Sequence, residues 1–261
     1  MLWEALTVPW RACLEEAWAA YRAGSLPIGA AIADPAGSVI ARGRNRIYEH
    51  EADGGHLHGH RLAHAEVNAL NALDYRALDP RVCTLYTTTE PCPLCTGAIR
   101  VAKIGAVRYA ARDTVGGSIA LLEATPFMRR GGVRVAGPER DDLEALVAAL
   151  HVEFSLHEGP SDRVTHLLDC WEPVIPGGVA LGRALHASGE LRRLGATGTP
   201  IAAVLDRLAV LLSPGGVGER RGGHCEGASV RARPRRKALA PTVPTRDATE
   251  EMARDRPVLA V

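Results

Sequence analysis

Aromatic side chains make up only 4% of this 261-residue chain, so partners for stacking against a flat ring are few. Tyr48 and Phe127 are the candidates. Net charge is also nearly absent, at +1 overall. Residues 1–157 carry 16 Lys and Arg against 18 Asp and Glu, a net of −2, and the remainder carries 15 against 12, or +3. A first part that is basic overall, as a surface for phosphate contacts would be, is therefore excluded. Six cysteines in this length do not form a secreted disulfide framework, and no leader pattern opens the chain. No run reaches the roughly 18 apolar residues that suggest a membrane span. With 46% hydrophobic residues the chain has material for a sizeable core, and a soluble, cytoplasmic protein is expected.

What is present is a pair of short motifs, His64-Ala65-Glu66 and Pro91-Cys92-Pro93-Leu94-Cys95. Composition predicts roughly 0.7 chance matches to H-x-E but only about 0.01 to P-C-x-x-C. Three H-x-E matches occur. His151-Val152-Glu153 lies in a run that reads as regular helix, where residues two apart point about 200° away from each other. His224-Cys225-Glu226 sits in a Gly-rich tail. Only His64 stands at a helix start, ahead of Val67, Leu70 and Leu73, where a half-helical cap residue and Glu66 can face one pocket. Pro93 suits the first position of a second helix, which puts Cys92 and Cys95 three apart at the positive end of its dipole. Both thiols are expected to ionise easily there.

One imidazole and two thiolates supply three of the four ligands zinc prefers, and the fourth place would hold water. Two thiolates weaken the metal's Lewis acidity, so a nearby base gains value, and Glu66 is the candidate proton carrier. Two other readings stay open. Cys83 or a histidine of the 56–60 loop would close the set into a structural site, leaving Glu66 without a role. A Cys92–Cys95 disulfide is the second.

H-x-E combined with P-C-x-x-C is a signature of zinc deaminases. From about Leu26 to Gly117 the chain resembles the cytidine and deoxycytidylate deaminase-like superfamily, in its branch of tRNA adenosine, guanine and cytosine deaminases. The resemblance rests on Leu26-Pro27-Ile28-Gly29-Ala30, Gly43-Arg44-Asn45-Arg46, His64 to Val67, Leu85 to Ile99 and Ala111-Arg112-Asp113. It implies that His64, Cys92 and Cys95 hold Zn2+, that Glu66 shuttles protons, that the Ala65 N–H binds substrate and that Asn45 contacts the base or its sugar. Asp113 would contact substrate or support the site; pairing with Arg112 or Arg108 is the alternative. The function implied is hydrolytic deamination of a guanine- or cytosine-type base or nucleoside. Deamination of a tRNA wobble adenosine is a second reading, and a zinc-stabilised binding module without catalysis a third. Homodimers are common in the family, and one is expected here.

Strands are expected at about 28–33, 38–45, 83–88, 105–110 and 132–136, with a turn at Asp34-Pro35-Ala36-Gly37 between the first two. Helices are expected after Thr7, after His64, at 93–102 and at 138–153. The alternation implies a three-layer α/β/α fold on a mixed five-stranded sheet. Residues 1–157 would form the deaminase-like domain and 158–212 a small helical appendage with helices near 162–171, 178–187 and 200–213. The Gly/Pro/Arg-rich stretch 213–261, with its basic cluster at 231–237, reads as a disordered tail. A loop with His50, His56, His58 and His60 separates Asn45 from His64 and reads as a polar surface loop, a lid or a second metal site. Arg42, Arg44 and Arg46 alternate along the second strand as a basic patch or as protection of its edge. Cys13 and Cys170 read as buried apolar residues.

Overall fold

Five short runs of small and β-branched residues pair into one sheet in a computed structural model that describes residues 1–51, 54–158 and 161–212. Strands β1 (Gly29–Ala33), β2 (Val39–Arg44), β3 (Thr84–Thr89), β4 (Ala106–Ala111) and β5 (Arg134–Ala136) lie in the order β2-β1-β3-β4-β5. β1 is antiparallel to β2 and β3, and β4 is parallel to β3 and β5. The β1–β2 link needs only a tight turn, in which Gly37 adopts a φ of +83° and the Ser38 N–H donates to Asp34 Oδ1 at 2.8 Å. The parallel β3–β4 pair instead requires a crossover element. That element brings Cys92 and Cys95 to the end of β3.

Around the sheet stand α1 (Leu2–Ala5), α2 (Val8–Arg22), α3 (Ala65–Asn71), α4 (Pro93–Val101), α5 (Pro126–Arg129) and α6 (Asp141–Glu158). After them come α7 (Ser161–Trp171), α8 (Pro176–Ser188), α9 (Glu190–Ala196) and α10 (Ile201–Leu212). Alternate residues of a strand face opposite sides, and β1 divides its cover accordingly. Ala31 joins Trp10, Leu14 and Leu146 of α2 and α6 in one core, whereas Ala30 and Ile32 join Ala69, Leu70 and Ile99 of α3 and α4 in another. The result is the expected three-layer α/β/α arrangement on a mixed five-stranded sheet.

Two glycines let helix backbones lie directly on the strands. A Cβ on Gly29 would stand 2.0 Å from the Cys13 carbonyl oxygen of α2. One on Gly43 would stand 2.3 Å from Ala69 N and 2.4 Å from Ala65 O of α3. Gly43 therefore sets how closely α3, with His64 at its cap and Glu66 in its first turn, approaches the sheet.

Several expectations change in detail. Thr7 occupies the cap position of α2 but its side chain makes no capping hydrogen bond. The helix expected from 138 begins at Asp141, with Asp141, Asp142 and Glu144 in its first turn near the positive end of the dipole, and runs on to Glu158. α9 was not expected; Gly189, at φ +63°, ends α8 and lets the chain restart as a helix. Cys13 is buried as expected, but Cys170 is half-buried, 3.9 Å from His166. Its face of α7 is too near solvent for a core position.

The helices after residue 158 are not a separate appendage. Leu181, Leu185, Leu191, Ile201, Val204 and Leu208 share one core with Trp10, Leu14 and Leu146. Polar ties cross the same region: Trp18 Nε1 donates to Thr199 O at 2.8 Å, and Tyr21 Oη donates to the buried Glu153 Oε2 at 2.7 Å. Glu153 thus faces α2, while His151 packs edge-on against Trp171 with ring centroids 5.0 Å apart, so this second H-x-E forms no site. The 213–261 tail, its basic cluster, His224-Cys225-Glu226 and Asp53 lie outside the described residues. Among the described residues no helix is long and apolar enough to cross a membrane.

Gly43→Ala is expected to cost about 1–3 kcal/mol or more from overpacking, and to lower zinc content by displacing α3; urea unfolding and metal analysis read the two effects. A chain ended after Glu158 is expected to lose its cooperative thermal transition. Retention of the full chain's melting temperature would restore an independent appendage.

Candidate metal centre

His64 caps α3 with φ −79° and ψ 155°, and Cys92 caps α4 with φ −70° and ψ 175°. Extended backbone at both caps turns the two side chains toward each other from helices that start at the same edge of the sheet. His64 Nδ1 stands 3.5 Å from Cys92 Sγ and 3.5 Å from Cys95 Sγ. Tetrahedral zinc with Zn–S near 2.3 Å and Zn–N near 2.0–2.1 Å requires N···S edges of about 3.6 Å. The three side chains therefore fit zinc. Among the described residues no fourth His, Cys, Asp or Glu joins them. Cys83 is buried in the core under α3 and α4 and donates to Asp79 O, so it does not close the set.

The protein's own groups prepare the site. Cys92 is pulled down to about 4, first by the hydrogen bond it accepts from the Cys95 thiol and then by His64, against the cost of burial. Cys95 is pushed up by that same bond, by burial and by Glu66. Without a cation Cys92 is the more readily ionised of the pair, because Cys95 also faces the Glu66 carboxylate. A bound cation reverses that balance and favours thiolate at both. His64 is held toward the protonated form, chiefly by Cys92, and its ring also bonds the Arg61 backbone, which fixes its orientation.

Glu66 is 4% exposed. Its Oε1 accepts from Thr87 Oγ1 at 3.2 Å and its Oε2 from Cys95 Sγ at 3.3 Å. Burial raises its pKa above the ordinary carboxylate value, partly offset by its own backbone N–H. A carboxylate with a raised pKa, locked beside three metal ligands, is suited to exchange protons. Thr87 was missed in the sequence. Strand alternation could have found it, since it shares a face of β3 with Leu85, the face covered by α3 and α4.

The remaining candidates divide. Asn45 is 1% exposed, and its Oδ1 accepts from Ser25 Oγ at 2.8 Å and from Ile47 N at 3.2 Å, so Nδ2 is the donor of this side chain. Ala65 is the first residue of α3, so its N–H has no partner within the helix. Asp113 Oδ1 accepts from Val115 N at 3.0 Å and Gly116 N at 2.9 Å, shaping the turn after β4. It pairs with neither arginine: Arg112 binds Glu144 at 2.7 Å and Arg108 binds Glu139 at 2.6 Å. Glu90, also missed, accepts from Asp113 N and Ile119 N at 3.4 Å and steadies that loop.

Tyr48 is exposed, and its backbone N–H donates to Ser25 Oγ at 3.4 Å. Phe127 is not brought to the metal ligands. Its ring lies 4.3 Å from the Arg100 guanidinium carbon, at the end of α4 opposite Cys92. The loop before α3 is tied down by Asn68, whose amide bonds both backbone groups of Leu57 at 2.8 and 3.0 Å. Its described histidines form no second group of three ligands; His58 Nδ1 lies 3.3 Å from His56 O, and His60 Nδ1 accepts from Leu62 N. The basic alternation is partly offset. Arg42 pairs with Glu15 at 2.7 Å, and Arg44 and Arg46 both pair with Glu49 at 2.8 Å.

One zinc per chain is expected by elemental analysis. His64→Ala, Cys92→Ala and Cys95→Ala should each release it, while Glu66→Gln and Cys83→Ala retain it; loss of metal from Cys83→Ala would revive the closed structural site.

Comparison with known proteins agrees with this geometry. Residues 7–111 match the cytidine and deoxycytidylate deaminase zinc-binding region. The chain is 38% identical over 88 residues to a cytosine deaminase of Candida albicans, covering 33% of this chain and 53% of that protein. It is 40% identical over 92 residues to a guanine deaminase of Bacillus subtilis, covering 34% and 52%. A tRNA-specific adenosine deaminase of Haemophilus influenzae is 35% identical over 114 residues, with coverage of 42% and 60%. The chain thus spans between half and two thirds of the length of these relatives. On the matched zinc-binding region and the His64, Cys92 and Cys95 centre, residues 7–111 belong to the cytidine deaminase-like superfamily.

Proposed function

We propose that the protein is a hydrolytic deaminase of a guanine- or cytosine-type base or nucleoside, replacing a ring amine by a carbonyl and releasing ammonia. The observation that carries this reading is Glu66, a buried carboxylate held between Thr87 and Cys95 beside three ligands that no fourth protein side chain completes among the described residues. Zinc, when bound, supplies the Lewis acidity that makes water a nucleophile near neutral pH. Glu66 would take one proton of that water as oxygen adds to the amine-bearing carbon and deliver it to the adjacent ring nitrogen; it would then take the proton of the added hydroxyl as the carbonyl forms and give it to the amine, which leaves as ammonia. Asn45 Nδ2 and the Ala65 N–H are the donors that would orient the ring. Asp113 holds the neighbouring turn and contacts substrate from it or supports the site.

Support for a small substrate comes from the surroundings. Leu26, Tyr48, Val115, Phe154, Val164 and Leu167 line a chamber of about 410 Å³, a volume in the range of small-molecule pockets. Residues of α6 and α7, among them Glu158, Arg163 and His166, form part of its wall. Tyr48, which lines the same chamber, is the residue that would cover a bound ring in this reading. The two arginines nearest Asn45, Arg44 and Arg46, share Glu49, which lowers the positive charge offered to a tRNA backbone there. A homodimer belongs to this reading.

Ammonia release from the zinc-loaded protein, measured on guanine, cytosine, adenine, their nucleosides and an anticodon stem-loop, is expected with one small substrate. Glu66→Gln should lower turnover by about 10²–10⁴-fold with zinc retained. Turnover confined to the stem-loop would transfer the activity to tRNA, and silence on the whole panel with zinc bound would favour a non-catalytic module.

A further inference from the structure

The strand ends opposite the metal centre carry a second feature. β3, β4 and β5 run parallel, so their first residues share one edge of the sheet, whereas Cys92 follows the far end of β3. Six residues at about 3.3 Å each put roughly 20 Å between the two edges. At the near edge a recess of about 370 Å³ is lined by Arg81, Arg100, Lys103, Arg130 and Arg134, together with glycines and one valine. No acidic side chain lines it. Asp79, on the rim, pairs with Arg81 at 3.2 Å, both side chains being well exposed, and also feels Lys103. Arg100 is oriented by the Phe127 and Met128 carbonyls at 3.0 and 3.2 Å, neutral groups that leave its charge uncompensated. Among the described residues Lys103, Arg130 and Arg134 have no ion-pair partner within 4.0 Å.

Converging like charges repel one another, and the backbone here is shaped to bring them together. Lys103 is the one described non-glycine residue at positive φ, +62°, a conformation that glycine or asparagine adopts with less strain. A Cβ on Gly105 would stand 1.8 Å from Arg81 O, and one on Gly131 would stand 2.4 Å from Arg100 Cδ and Nε. Those close approaches seat the strand start against Arg81 and the 130–134 loop against Arg100. Gly132, at φ +59°, turns the loop so that Arg130 and Arg134 both reach the recess.

We infer that this recess binds a small multivalent phosphate, the di- or triphosphate moiety of a nucleotide or a free polyphosphate. Five cations gathered around one cavity suit a compact polyanion, whereas a nucleic-acid backbone calls for a basic track extended along a surface. Arginine forks and a lysine ammonium are the donors such a group uses. With roughly 20 Å between the edges, the ligand does not share the metal centre, so its binding is independent of the proposed deamination.

Calorimetric titration of the full zinc-loaded chain with inorganic pyrophosphate at low ionic strength tests the inference. Saturable binding of one pyrophosphate per chain is expected, weakening as salt is added. At least a tenfold loss of affinity is expected in Lys103→Ala and in Arg130→Ala/Arg134→Ala, with circular dichroism and zinc content unchanged. Any heat from zinc chelation would appear equally in native and variant proteins, so their difference isolates the recess. Titration with adenosine triphosphate then separates the two sources: tighter binding than pyrophosphate identifies a nucleotide, and equal or weaker binding a free polyphosphate. No saturable heat, or the same affinity in the variants, would overturn the site. A single-stranded RNA 12-mer that binds more tightly than either probe and is lost with the same substitutions would overturn the ligand class.

Discussion

Two helix N-termini have to meet within a few ångströms for this centre to exist, and their meeting depends on how closely α3 lies on the sheet. The absence of a side chain at Gly43 permits that contact: the backbone of α3 occupies the space a Cβ would take. α4 is placed by the β3–β4 crossover, and its cap residue Cys92 then faces His64 at 3.5 Å. Neither approach is set within one element. Sheet pairing and small residues at the contact act together, and the ligand geometry follows from both.

Electrostatics explains why these groups tolerate one another. A buried carboxylate beside two sulfurs is an unfavourable gathering of anionic groups unless protons or a cation compensate it. The protein's partial answer is that Thr87 and Cys95 both donate to the Glu66 carboxylate. A divalent cation at His64, Cys92 and Cys95 would complete the compensation. One arrangement therefore serves both metal affinity and the placement of a base.

The helices beyond residue 158 take part in the same architecture. Their apolar faces complete the core over α2 and α6, and Tyr21, Glu153 and Arg192 link three helices near its surface, with Tyr21 Oη 2.7 Å and Arg192 Nε 3.8 Å from Glu153. α7 lines the chamber that Leu26 and Tyr48 also border. Charge is distributed unevenly over this body: Arg44 and Arg46 near Asn45 share Glu49, while at the opposite strand ends only Arg81 of the five cations has an acidic partner, Asp79, among the described residues.

Local patterns determined a large part of this protein. The alternation of strands and helices, the zinc ligands and Glu66 were legible because each depends on short spacing at a helix start, where cap geometry and the first turn decide which way side chains point. His151 and Glu153 were excluded on the same ground, being two apart in a continuous helix. Only the tertiary structure decided what lies across from each residue. Thr87 under Glu66, Glu15 and Glu49 beside the arginines of β2, and Glu144 and Glu139 rather than Asp113 beside Arg112 and Arg108 all follow from strand order and helix placement. The recess of Arg81, Arg100, Lys103, Arg130 and Arg134 is likewise assembled from separate segments. So is the shared core that makes α8 and α10 part of the same body, since apolar spacing within a helix reports that a face is buried but not against which partner.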